Sequence, residues 1–257
     1  MLSLRSSTLS KNLQIPDYGS GWNPLKIKPV QYLDCWYPAW AAGGSNTGAG
    51  VSVVTTWRDM GPYGQHLTAT LGVDSPQLIR RDPDLNGRTS VNFATTDVLR
   101  GAERVGSPTG GNKTIFVVWR GGSSVTDCWL FAKGTSDFSE EWIVISFTGS
   151  TYYDSGGNSA YVEGGGGHSA NTNYVLCVRN NNGSHIVRRN GTQIATRSGG
   201  SGVSNTTGDI TLGRGRQTTG SMTGRIAEAM CFRTTFTDAE CLDVERRLGA
   251  YYGITVA

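Results

Sequence analysis

An all-β body is what this sequence predicts: two facing antiparallel sheets, one short helix near the C-terminus and an extended N-terminal arm. Three observations predict it. Glycine fills 36 of the 257 positions, about twice its usual share of roughly 7%. Charged residues make up only 17%, against a usual ~25%. Short apolar or alternating runs are separated by stretches of Gly, Asn, Ser and Thr, the punctuation of strands and turns; helices draw instead on Ala, Leu, Glu and Lys. The length suits one large all-β domain with an appendage.

Residues 1–29 stand apart. They are polar, carry Pro16, Pro24 and Pro29, and follow neither a period of 2 nor one of 3.6. Such a segment is an unstructured tail unless something holds it. The reading favoured here is an assembly arm on a neighbouring subunit, with Leu4, Leu9, Leu13, Ile15, Tyr18 and Trp22 as its apolar contacts. The second unit, residues 30–257, is the body.

Within the body, Lys113 to Trp119 is apolar at nearly every position, as expected of a strand buried on both faces. Cys128 to Ala132 and Trp142 to Phe147 read the same way. Tyr174 to Arg179 and His185 to Arg189 alternate more cleanly, with the turn Asn180 to Gly183 between them. Asn190-Gly191 then joins His185–Arg189 to Thr192–Thr196. Asn-Gly between two extended runs signals a tight hairpin, because both turn residues need positive φ. Asp209 to Gly213 and Gly224 to Phe232 supply two more strands, and Ser155 to Gly167 and Ser198 to Gly208 read as Gly-rich loops. One helix is clear. Thr237 and Glu240 form a capping box, Cys241, Val244, Leu248 and Tyr251 share one face at steps of 3 and 4, and Gly253 supplies a left-handed stop.

The net charge of +3 is mild. A dedicated nucleic-acid binder shows a concentrated basic stripe, so no nucleic-acid partner is expected. Apolar stretches are too short for the ~18 residues of a membrane span, and residues 1–12 lack the apolar core of a signal peptide. Neither membrane nor secretion is expected. The five cysteines, Cys35, Cys128, Cys177, Cys231 and Cys241, are odd in number, widely spaced and without a CxxC, which predicts buried free thiols.

The order of these elements resembles a family, the concanavalin A-like lectin/glucanase domains, and specifically the laminin-G-like jelly-roll modules of bacterial surface proteins and tailed-phage virions. Val30 to Trp36 resembles the opening strand. Trp57, Asp59, Gly61 and Gly64 resemble the family's first turn, with Met60 departing from its pattern. Asn86-Gly87 with Val91 and Phe93, and Asp97 downstream, resembles a later strand, and Gly224 to Phe232 with the final helix resembles the closing segment. The resemblance covers residues 30–257 and implies a two-sheet antiparallel jelly-roll sandwich, with a concave face on which many members bind carbohydrate. It implies no activity, because function lives in sites grafted on folds.

Hydrolases of this fold need paired carboxylates on one side of a strand. Glu140 and Glu141 are adjacent, so a strand would point them to opposite faces, and Asp137 lies in a turn region. Asp82 and Asp84 flank a proline, far short of the six to eight oxygens calcium takes. His66, His168 and His185 share no ligand spacing. No enzyme, metal or cofactor is expected. Trp57 is expected to plug the sandwich and Asp59 to accept turn N–H groups. Arg188, Arg189, Arg197, Arg214 and Arg216 form either a solvated face or a docking surface for something acidic. The candidate glycan site is an aromatic loop, Tyr152, Tyr153 and Asp154 with Tyr161: aromatic faces pack on sugar rings and a carboxylate accepts from hydroxyls. The functional expectation is a non-catalytic structural and binding protein, a tailed-phage virion component (capsid decoration, or tail or fibre protein). It would be assembled in a host cytoplasm as a homo-oligomer, with other virion proteins and a cell-surface glycan as partners. A stand-alone carbohydrate-binding lectin and a glycoside hydrolase are the alternatives.

Overall fold

The computed structural model describes residues 33–46, 52–69, 75–102, 112–125, 128–134, 141–145, 150–154, 162–164, 166–198, 209–214 and 222–257. The arm expected over residues 1–29, with Leu4, Leu9, Leu13, Ile15, Tyr18 and Trp22, lies outside them, as does Tyr161.

The described chain forms an antiparallel β-sandwich with one C-terminal helix. The first layer is centred on β8 (Lys113–Gly121), which lies between β13 (Asn173–Asn181) and β17 (Gly224–Phe232). Beyond β13 come β14 (Ser184–Arg189) and β15 (Thr192–Arg197). The far edge of β17 is shared: its first residues pair with β6 (Arg88–Phe93) and its last with β1 (Leu33–Pro38), and β6 pairs on with β5 (Gln77–Asp82).

The second layer runs from β12 (Val162–Gly164) through β11 (Thr151–Asp154), β10 (Glu141–Ile145), β9 (Cys128–Gly134), β16 (Asp209–Leu212), β7 (Leu99–Ala102) and β4 (Leu67–Thr68) to β3 (Ser52–Trp57) and β2 (Ala42–Asn46). Strand β3 also pairs with β5, so it ties the two layers together along one side.

Two apolar clusters explain why β8 is buried almost throughout. Its alternate residues Ile115, Val117 and Trp119 enter the core between the layers, with Leu130, Leu176, Leu212 and Ile226. Phe116 and Val118 face the other way, against the helix α1 (Asp238–Tyr252). Strand alternation sends successive side chains to opposite faces, and here both faces are covered. The expected double-sided burial of this strand is borne out, as is the expected burial of all five free cysteines. Trp57 is fully buried, its Nε1 donating to Pro38 O at 2.9 Å.

The turn chemistry also follows the sequence. Asn190 (φ 48°) and Gly191 (φ 84°) both take the left-handed conformation, as the hairpin between β14 and β15 demands. Thr237 Oγ1 accepts from Glu240 N at 3.2 Å while Glu240 Oε2 accepts from Thr237 N at 2.8 Å, which completes the capping box. Gly253 closes the helix at φ 70°.

In its last turn the helix departs from the expected face. The core residues are Cys241, Val244, Leu248 and Tyr252, not Tyr251. From Leu248 a step of 3 and a step of 4 both stay on one side of a helix. The step of 4 is taken, and Tyr251 is left half-buried at the edge. A second surprise is Glu245, fully buried beneath the helix. Its Oε2 accepts from Arg188 Nε at 2.8 Å and its Oε1 from Gly191 N at 3.0 Å, which staples α1 to the β14–β15 turn. Burial pushes the Glu245 carboxyl up, and Arg188 pulls it back down. No helix among the described residues is long and apolar enough to cross a membrane.

Candidate functional site

The expected aromatic loop is a strand. Thr151–Asp154 is β11, paired with β10 on one side and β12 on the other. Tyr153 is fully buried, its ring edge-on to His185 at 5.3 Å. This corrects its assignment as a ring that stacks on sugar: it is a core residue. The backbones of Tyr152 and Asp154 lie opposite Val144 and Trp142 in that register. Of the acids weighed for a hydrolase pair, Asp137 and Glu140 lie outside the described residues, and Glu141 is placed by its backbone on β10.

The expected arginine patch is divided. Arg188 is buried against Glu245, while Arg214 follows β16 in the other layer and donates to Thr96 O at 3.5 Å. Asp82 and Asp84 are both engaged by Arg225 Nη1, at 2.6 and 2.9 Å, and Arg120 Nε lies 3.4 Å from Asp84 Oδ2. That pairing suits a structural knot and not a cation site. Asp59 does what the sequence suggests, accepting from Trp36 N, Gly61 N and Gln65 N at 2.7–2.8 Å. Burial nonetheless raises its carboxyl, the three backbone donors opposing that rise.

The one concave feature we assign as a site lies where the β5–β6 connection meets the end of α1. It is an open cleft of about 400 Å³ lined by Arg80, Arg81, Arg88, Thr89, Tyr251 and Tyr252. Its construction begins with a bulge. The β5–β6 register runs from Ile79↔Ser90 to Asp82↔Arg88, so Arg80 and Arg81 together face Thr89. Two consecutive residues of a regular strand point to opposite faces. A bulge with one residue in the left-handed region breaks that rule, and Arg81 has φ 54°. Both arginines therefore line the same cleft.

Asp82 anchors the connection from below. Its carboxylate is buried and accepts from Asp84 N at 3.1 Å and Ser90 Oγ at 2.5 Å, while Asp82 O accepts from Gly87 N at 2.8 Å. Asn86 (φ 55°) and Gly87 (φ 69°) then turn the chain into β6.

The other wall comes from α1. The Arg88 guanidinium lies 3.9 Å from the centre of the Tyr251 ring, and its Nε donates to Tyr251 O at 3.3 Å. Asn86 Nδ2 donates to the same carbonyl at 3.1 Å. Behind this wall, Tyr252 and Trp36 both donate to the buried Glu228 carboxylate, at 2.7 and 2.6 Å. Burial raises the Tyr251 hydroxyl above its usual range against the pull of Arg88, so it remains a donor at neutral pH. Arg80 and Arg81 are exposed, and among the described residues neither guanidinium has an acidic partner. No carboxylate lines the cleft. The site thus offers three cations, of which Arg88 is held over a clamped aromatic ring, and neutral hydroxyls. Sequence reasoning missed it because the bulge at Arg80-Arg81 has no glycine to mark it. The double arginine beside Asn86-Gly87 was the available signal.

No family model matches the chain, and no curated protein matches it. Solved structures do resemble it. An arabinofuranosidase complexed with arabinofuranosyl-alpha-1,2-xylobiose superposes with a TM-score of 0.59 at 15% identity, over 79% of this chain and 52% of that one. The binding domain of paraclostridial mosquitocidal protein 1 gives 0.61 at 11% identity, over 86% and 53%. A botulinum neurotoxin type C structure, concerned with cell entry through two ganglioside molecules, gives 0.58 at 12% identity, over 85% and 52%. This chain spans about half the length of each. At such identities the likeness establishes the fold, a jelly-roll-like β-sandwich.

Proposed function

We propose that this chain is a non-catalytic carbohydrate-binding module, carried as a structural component of a tailed-phage virion (a capsid decoration, or a tail or fibre protein). The observation that carries the binding half is the cleft between β5–β6 and α1. It presents an aromatic ring and exposed hydrogen-bond donors in a concave, solvent-open setting, the composition of a polar-ligand site. Its lining has no carboxylate, whereas glycoside hydrolysis by the usual route takes two, roughly 5–10 Å apart across the scissile bond. The virion half is supported by the sequence alone: a leading segment with apolar residues but no core of its own, ahead of a single sandwich. Cell-surface glycan and neighbouring virion proteins are then its partners.

The test is a glycan array probed with the full chain and with Arg88→Ala, alongside an assay for released reducing sugar. Binding to at least one glycan, lost in the variant and without sugar release, is the expected result. Sugar release abolished by Glu141→Gln would overturn the non-catalytic reading. For the virion role, deletion of residues 1–29 should abolish incorporation into particles; undiminished incorporation would refute it.

A further inference from the structure

We infer that the cleft selects an acidic sugar, a glycan whose ring carries a carboxylate (a sialic or a uronic acid), and that Arg81 is the residue that grips it. The inference rests on the carbohydrate-binding reading above and narrows it. A neutral sugar is served by amides, hydroxyls and mixed charges, and a site built for it gains nothing from uncompensated cations. Here three guanidiniums meet in one cleft of about 400 Å³ with no carboxylate in its lining. Arg88 is already committed, held over the Tyr251 ring and bonded through Nε to Tyr251 O. Arg80 and Arg81 are not, since among the described residues neither guanidinium has an ion-pair or hydrogen-bond partner.

Elsewhere in the described chain partly buried arginines find acids: Arg179 holds Asp238 at 2.8 Å, Arg225 holds Asp82 and Asp84, and Arg247 holds Asp243 at 2.9 Å. The cleft gathers its arginines with no carboxylate in the lining. Arg81 is also held in the left-handed region at φ 54°. That conformation is unfavourable for a residue with a β-carbon, and such outliers persist where the surroundings over-determine them. Its effect is to bring a second guanidinium onto the side of Arg80. A guanidinium presents its N–H donors in a planar fork that matches a carboxylate two-to-two. Tyr251 borders the same cleft with the Arg88 guanidinium held over its ring.

The experiment is titration calorimetry on the full chain. The probes are 3′-sialyllactose, oligogalacturonate, lactose as the neutral parent, methyl-esterified oligogalacturonate and a sulfated disaccharide. The variants are Arg81→Lys and Arg81→Gly. Glycine accepts positive φ without strain, so Arg81→Gly removes the guanidinium while leaving the bulge its preferred geometry. One acidic probe should bind at least ten-fold more tightly than its neutral counterpart. Arg81→Gly should erase that preference at unchanged melting temperature, and Arg81→Lys should weaken it about ten-fold, the size expected for a charge-assisted bond to a fixed carboxylate. Which acidic probe binds separates the sialic from the uronic source. Equal binding of acid and ester would overturn the inference and leave carbohydrate binding standing. Preference for the sulfated probe would overturn the carboxylate assignment. No binding to any saccharide would sink both this inference and the reading beneath it.

Discussion

His168 shows how far a single residue can depart from its behaviour in water. It is buried, its Nε2 is 2.7 Å from Thr151 Oγ1, and its ring packs against Trp119 and Tyr174. Burial, helped by the charge of Arg189, lowers its pKa from 6.5 to about 3. The folded value lies below the unfolded one. The stability this group contributes is therefore fully present above pH 6.5 and is lost as pH falls towards about 3. In that window the unfolded chain binds a proton that the folded chain refuses, so stability drops by about 1.4 kcal/mol per pH unit. Urea unfolding at several pH values between 7 and 4 should show that slope, and His168→Gln should remove about one proton's worth of it. An identical slope in the variant would mean the imidazole is protonated in the fold. From sequence, His168 offered only the negative statement that it shares no ligand spacing with the other histidines. Its burial depends on Trp119 and Tyr174, which come from different strands, and no local pattern contains that. Arg81 is similar: its identity was plain, but the bulge that aims it is a matter of β5–β6 register.

Elements were legible in proportion to how local their causes are. The helix α1 could be read from both ends, because the Thr237–Glu240 box and the Gly253 stop are each made within a few residues. The Asn190-Gly191 hairpin was legible for the same reason. Strand β11 was misread as a loop, because Gly-rich neighbours dilute its signal. Short strands such as β4 and β12 exist only because partners in the second layer pair with them. Glu245 was invisible too: a carboxylate on a charged helix reads as surface, yet it is fully buried and joined to Arg188. Removing one member of a buried pair strands the other, at a cost of about 3–5 kcal/mol. Glu245→Ala should lower stability by that much in chemical denaturation. Arg188→Met combined with Glu245→Leu should recover at least about half of the loss, since a packed apolar pair replaces a compensated ionic one. If the double variant is as unstable as Glu245→Ala, the bonds to the Gly191 backbone, and not the ion pair, hold the helix.

The whole molecule is organised around a layer that is covered twice. Strands β8, β13 and β17 have the second layer on one face and α1 on the other, and they form the middle of their own sheet. Among the described residues, strand β15 pairs with β14 alone, and β2 with β3 alone. Protection from hydrogen exchange follows the least costly opening that exposes an amide. An amide in β8 can open only if the inter-layer core and the helix contact are both lost, which amounts to unfolding the domain. An amide in β2 or β15 needs only one pairing to fray. Native-state exchange should therefore give the amides of β8, β13 and β17 one common opening free energy, equal to the global stability from denaturation, with those of β2 and β15 clearly below it. The β5–β6 connection that carries the arginine cleft is an informative intermediate. Its first strand pairs with both β3 and β6, and its far end is tied to α1 through Asn86 and Arg88. If the cleft is a preorganised site, its amides should exchange nearer the central group than the edge group, and Arg88→Ala should move them towards the edge while leaving β8 unchanged. Exchange of the connection at edge rates in the parent protein would mean that the bulge carrying Arg80 and Arg81 is not held in place, and a preorganised grip on a carboxylate would lose its structural basis.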